Sequence, residues 1–150
     1  MTKSASALDE VREYLSQKEL PIAYLATVDA DGAPQVRPLT LMFYRDSFYF
    51  ATFRKSHKAQ QISRDKRVEF VTMFHNNPFT GYIRVMGTVQ EIPDLPIRLE
   101  ITTACKYPVT EYWKGVDDPD FLFFKATPAR VIYNRPGEFD ELDVTEEFPT

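Results

Sequence analysis

Strand-like runs follow one another in this chain with very little between them. "IAYLATV" at 22–28 gives way, through the turn residues "DADG", to "PQVRPLTLMFY" at 34–44. "RDS" then leads into "FYFATF" at 48–53, so 35–44 and 48–53 read as a hairpin. "RVEFVTMF" at 67–74 and "YIRVMGTVQEI" at 82–92 flank a loop, "HNNPFTG". "FLFFKATPARVIYN" at 121–134 reads as one bent strand or two short ones around Pro128. Pro38 marks its run as an edge or bulged strand, and Gly87 marks a bulge or bend. About six strands so closely joined predict a closed antiparallel barrel or a sandwich.

Helices are few. Residues 5–18 carry Ser6 as a cap, with Leu8, Val11 and Leu15 at helical spacing, until Pro21 ends the pattern. "SHKAQQISRD" at 56–65 is a short helix. Residues 94–106 form a longer one, in which Leu95, Leu99 and Ala104, joined by Ile101, can share an apolar side, with "EYWKG" as one further turn. The 150 residues fit one domain, 1–150, and the 12 Phe and 8 Tyr favour strands.

The net charge of −4 argues against a nucleic-acid partner. Residues 135–150 hold Glu138, Asp140, Glu141, Asp143, Glu146 and Glu147 against Arg135 alone, a net of −5. The acidic tail at 137–150 reads as a solvated terminus rather than a binding element. Cys105 is the single cysteine, which rules out an internal disulfide and suits a reducing, cytoplasmic setting. The first residues have charges where a signal peptide needs an apolar core, and no apolar run nears the roughly 20 residues of a membrane span.

Most familiar chemistry is absent from the sequence. His57 and His75 are the only histidines and stand at no ligand spacing to each other or to Cys105, so no metal site is expected. There is no nucleophile elbow, no Walker loop and no G-x-G-x-x-G. Cys105, in a helical and partly apolar setting, reads as a small packing residue.

What stands out is "ATFRKSHKAQQI" at 51–62, where a strand ends and a helix begins. A helix start exposes unpaired amides and partial positive charge, and so attracts anions. Ser56 can cap the helix or donate to a phosphate, Thr52 adds a hydroxyl, and Lys55 and Lys58 add charge. Arg37 can approach from the neighbouring strand. Basic residues at a helix start oppose its dipole, which favours an anion over a merely solvated basic surface.

"VRPLTLMF", "FYFATFRKSHKAQQI", "RVEFVTMF" and "YIRVMGTVQEI", taken together, resemble the pyridoxamine 5'-phosphate oxidase-like family of FMN-binding split barrels. The similarity covers about residues 20–92, more weakly to 134. It rests on Arg37 with Leu41, on Thr52 closing an aromatic strand, on Ser56-His57-Lys58 and on Gln61-Ile62. The resemblance implies a mainly β fold with peripheral helices, a six-stranded antiparallel split β-barrel. It also implies FMN bound at the interface of a homodimer. The phosphate would rest on Arg37, Thr52, Ser56 and Lys58, with Ala51, Lys55, His57 and Gln61 nearby. Arg37, Pro38, Leu39, Thr40 and Leu41 would line the ring edge, partly through backbone groups. His57 replaces the arginine usual in the full oxidases, and Tyr82 stands where they place a partner-subunit glutamine.

The implied activity is an FMN-dependent oxidoreductase acting on a small molecule, with a nicotinamide as possible electron donor and no catalytic side chain named. The acidic "GEFDELDVTEEFPT" ending disfavours pyridoxamine phosphate itself as substrate. The alternatives are a non-catalytic flavin- or haem-binding protein for electron transfer or sensing, and a barrel using deazaflavin F420. Tyr112 and Trp113 either close over the ligand or, by the preferred reading, simply pack their helix onto the barrel.

Overall fold

The computed structural model describes residues 6–17 and 19–149. In chain order its elements are α1 (Ala7–Leu15), β1 (Ile22–Val28), β2 (Pro34–Thr40), β3 (Met42–Tyr44), β4 (Ser47–Phe53), α2 (His57–Arg64), β5 (Arg67–Asn76), β6 (Phe79–Glu91), α3 (Leu95–Ala104), β7 (Phe121–Asn134) and β8 (Leu142–Asp143). The strands run antiparallel in the order β2-β1-β5-β6-β7-β4-β3, with β8 on β7. β2 and β3 end this path on opposite sides, yet only Leu41 separates them in the chain. The sheet must therefore curl until its edges meet, which makes the expected split barrel. Leu41 sits at that seam, buried in the core, with its amide on the Pro21 carbonyl at 2.9 Å.

That seam corrects the expected hairpin. Only β3 pairs with β4, from Met42↔Tyr49 to Tyr44↔Ser47, while β2 pairs with β1 from Ile22↔Thr40 to Val28↔Pro34. The run 34–44 changes edges at Leu41 and becomes two strands, and with β8 from the tail eight strands replace six. Pro38 lies on an edge strand as expected. The expected loop at 75–81 is instead mostly ladder, with β5 and β6 paired out to Asn76↔Phe79. Gly87 does mark a bulge, with a register shift at Met86/Gly87 where a Cβ would collide with the Thr127 carbonyl. β7 runs unbroken across Pro128.

Strand alternation builds two cores. Phe48 and Phe50 of β4 and Leu122 and Phe124 of β7 point into the barrel, where α1 adds Val11 and Leu15 and α2 adds Ala59 and Ile62. Tyr49 and Ala51, with Phe121 and Phe123, point the other way, into a smaller core under α3 with Ile101, Val109 and Trp113. The face of α3 is not the expected one. Leu95 and Leu99 are 44% and 57% exposed and Ala104 is exposed; of the expected side only Ile101 is buried, beside Arg98 and Thr102. Arg98 turns inward because carbonyls there need donors: its guanidinium donates to Ile92 O at 2.7 Å and Val116 O at 2.9 Å. The extra turn falls earlier than expected, at Val109–Glu111, and shares only Glu111 with "EYWKG".

Two further expectations meet the structure differently. Residues 5 and 18, at the limits of the first helix, lie outside the described residues, while Ser6 caps α1 through Asp9 N at 3.1 Å. The acidic tail is not merely solvated. Val144 and Phe148 enter the main core, and β8 pairs with β7. Its acids are used: Glu141 accepts from Tyr82 Oη at 2.5 Å and Arg84 Nη1 at 3.1 Å, and Glu147 from Leu8 N at 3.1 Å. Apolar residues spaced between the acids supply the anchoring that net charge concealed. Among the described residues, no helix is long and apolar enough to cross a membrane.

Candidate anion-binding corner

β4 ends at Phe53 and α2 begins at His57, so residues 53–56 make a four-residue turn, closed by Ser56 N donating to Phe53 O at 3.0 Å. Ser56 caps α2, accepting from Ala59 N at 3.1 Å. Its hydroxyl also lies 3.0 Å from that of Thr52, which is 2% exposed. These two hydroxyls have two protons and share one bond. When Thr52 donates, the Ser56 proton is left for an acceptor outside. The amides of His57 and Lys58 fall in the first turn, where no helical carbonyl can accept from them.

Arg37 reaches this corner from β2 along the barrel's inner side. Its Nη1 donates to Thr27 Oγ1 at 2.6 Å and its Nη2 to Gln61 Oε1 at 2.8 Å, and Thr27 in turn bonds Gln61. Every one of these acceptors is neutral. Among the described residues, Arg37 Nε has no partner, and neither Arg37 nor Lys58 has a carboxylate within ion-pair distance. Burial pushes the Arg37 guanidinium down from its usual range. Lys58 is pushed down too, first by burial and then by the positive charge of Arg37. Two part-buried cations thus repel each other beside a helix start, an arrangement that an anion would relieve.

The sequence-predicted residues divide. Arg37, Thr52, Ser56, Lys58 and Gln61 come together, with Gln61 serving to hold Arg37. Lys55 and His57 are exposed at the rim. Leu39 packs on the barrel core and Leu41 lies within it, while Pro38 is exposed and Thr40 half-buried on the same edge strand. Ala51 turns its side chain into the core under α3, leaving only backbone to the corner. Arg54 faces away: its Nε donates to Pro119 O at 2.7 Å. Tyr112 is exposed and Trp113 is buried, its ring 4.6 Å from Phe53 and 4.8 Å from Phe121, as packing requires. Thr27 was missed. Its signal was a hydroxyl at an inward position of "IAYLATV", in phase with Ala23 and Leu25.

A curled antiparallel barrel of this topology is a split barrel, and its cationic strand-to-helix corner is a candidate anion site. The pyridoxamine 5'-phosphate oxidase family matches residues 7–135, and the chain belongs to it. It is 32% identical over 71 residues to the pyridoxine/pyridoxamine 5'-phosphate oxidase of Bradyrhizobium sp. (strain ORS 278), covering 47% of this chain and 32% of that protein. The chain thus spans about a third of the curated relatives it matches. A haem-binding protein from Mycobacterium smegmatis superposes with a TM-score of 0.78 at 16% identity, over 97% of this chain and 60% of that one. A FAD-binding protein from Mesorhizobium loti does so with a TM-score of 0.66 at 22% identity, over 85% and 92%. At these identities the likeness is one of fold.

Proposed function

We propose that this chain binds FMN and acts as an FMN-dependent oxidoreductase on a small molecule other than pyridoxamine phosphate. The observation that carries the reading is the pair Arg37 and Lys58, cations without carboxylates, beside the Thr52 and Ser56 hydroxyls and the first amides of α2. This donor set fits a phosphate dianion, which accepts charge-assisted and neutral hydrogen bonds together. Arg37, Thr52, Ser56 and Lys58 would hold the phosphate, and residues 37–41 the ring edge. The bound flavin supplies hydride or electron transfer, and the protein supplies position and charge. Thr27 and Gln61 keep Arg37 aimed without neutralising it.

A homodimer fits the same reading. The outer face of β2, β1, β5 and β6 leaves Ile22, Tyr24, Val36 and Met73 exposed around a pocket of about 300 Å³ that Tyr82 and Arg84 also line. A second copy of this chain would cover that face and complete the ligand site. On the substrate, the tail supports the exclusion: Glu141 and its neighbours bring negative charge to the rim of that pocket. Haem is the weaker alternative, since His57 and His75 are both exposed and sit on separate elements.

Titration of the purified protein with FMN tests the reading. Bound FMN should turn the protein yellow with quenched flavin fluorescence, at a dimer mass by light scattering. A red haem spectrum, or no FMN binding at micromolar concentration, contradicts it.

A further inference from the structure

The turn at 53–56 is held from outside the corner. Arg54 occupies its second position and carries an amide the turn does not use. That amide donates to Asp120 O at 2.9 Å and to Asp120 Oδ1 at 3.1 Å. The Arg54 side chain donates to Pro119 O at 2.7 Å and lies 3.9 Å from Glu91. The receiving segment is itself braced. Asp118 accepts from Lys114 N at 3.0 Å and Asp120 N at 2.9 Å, and buried Arg98 holds Val116 O at 2.9 Å. Next door, the Phe53 ring packs at a tilt against Trp113, 4.6 Å between centroids. Arg54, in the most basic stretch of the sequence, is thus committed to this segment rather than to a ligand.

We propose that Asp120 and Arg54 are positioning residues for the corner. Resting on the phosphate reading above, they hold the turn so that the Thr52 and Ser56 hydroxyls and the α2 amides converge, without touching the ligand. Unheld, the turn would have to be ordered at the moment of binding, and that ordering lowers affinity. Electrostatics pulls the other way, because a carboxylate near a phosphate site repels the phosphate. The sign of the effect therefore separates the two roles of Asp120.

The test is to titrate FMN and riboflavin into wild type, Asp120→Ala, Asp120→Asn and Arg54→Lys, each with a thermal melt. Asparagine keeps the side-chain acceptor for the Arg54 amide and sheds the charge, so its FMN affinity should equal or exceed wild type. Alanine keeps the Asp120 carbonyl at 2.9 Å but loses the side-chain acceptor at 3.1 Å, so it should bind FMN about threefold more weakly, despite losing a negative charge, with riboflavin affinity unchanged. Arg54→Lys, which keeps charge but loses the Nε bond to Pro119, should lose about threefold for FMN alone. An alanine variant that binds FMN as well as wild type, or losses equal for FMN and riboflavin, overturns the inference while leaving the site reading intact. Failure of the wild type to bind FMN overturns both.

Discussion

Arg37 and Arg84 are the same residue on two strands of one sheet, and they are treated oppositely. Arg84, on the outer face of β6, lies between Glu69 at 2.8 Å and Glu141 at 3.1 Å, and those carboxylates raise its pKa. Arg37, on β2, is given only Thr27, Gln61 and backbone carbonyls, and burial lowers its pKa. The chain does not lack acids, with 22 Asp and Glu against 18 Lys and Arg. It pairs Arg12, Arg67 and Arg135 with carboxylates as it does Arg84. On the function proposed above, the Arg37–Lys58 pair is left without carboxylates so that an anion from elsewhere can supply the charge.

The comparison breaks most sharply if Arg37 and Lys58 are removed together. Charge-assisted hydrogen bonds are worth roughly 1.5–3 kcal/mol each, so Arg37→Ala with Lys58→Ala should weaken FMN binding at least about 100-fold. Riboflavin, which lacks the phosphate, should change little. Fluorescence titration of both ligands reads the difference, and equal losses would show that these residues do not hold the phosphate.

A smaller change turns Arg37 into a second Arg84. Gln61→Glu is nearly isosteric and puts a carboxylate where Oε1 now accepts from Arg37 at 2.8 Å. The ligand-free protein should gain about 0.5–1 kcal/mol, the range of a part-exposed ion pair. That gain would appear as a melting point up by roughly 2 °C. FMN affinity should fall about tenfold, because the new charge both satisfies Arg37 and repels phosphate. A variant that gains stability and keeps its FMN affinity would show that the missing carboxylate has no bearing on ligand binding.

How much of this was legible beforehand differs between fold and site. The strands showed in alternation and turn chemistry, and Gly87 announced its bulge. The edge switch at Leu41 did not, because 34–44 is one continuous strand-like run and only closure of the barrel divides it. Arg98 was invisible for a similar reason: helical spacing favours leucines inward, while the carbonyls of Ile92 and Val116 that recruit an arginine lie outside the helix, in the segments before and after it. At the site, Thr52, Ser56 and Lys58 could be read from the end of a strand and the cap of a helix. The Thr27–Gln61 support for Arg37 needed the pairing of β1 with β2 and the seat of α2, both of which are tertiary.

The smallest expected effect concerns Lys58 and pH. Burial and the neighbouring Arg37 lower its pKa in the folded chain, while the unfolded chain keeps the ordinary 10.5. Below the folded value both states carry the proton, and the cost of the charge is fully present. Between the two values the unfolded chain binds more protons, so stability rises with pH. The ligand-free wild type should thus gain a few tenths of a kcal/mol on going from neutral pH towards pH 10, and Lys58→Met should lack that part of the gain. Urea unfolding of the two proteins at matched pH isolates the difference. The comparison must stop near pH 10. There tyrosines such as Tyr107, pushed up to about 12 by burial, begin to ionise in the unfolded chain alone and pull stability down. Inorganic phosphate in the buffer should flatten the slope for wild type only, since a bound anion favours the charged lysine. Identical slopes for wild type and Lys58→Met would mean that the Lys58 charge costs the ligand-free fold nothing, and the contrast with the paired arginines would then rest on Arg37 alone.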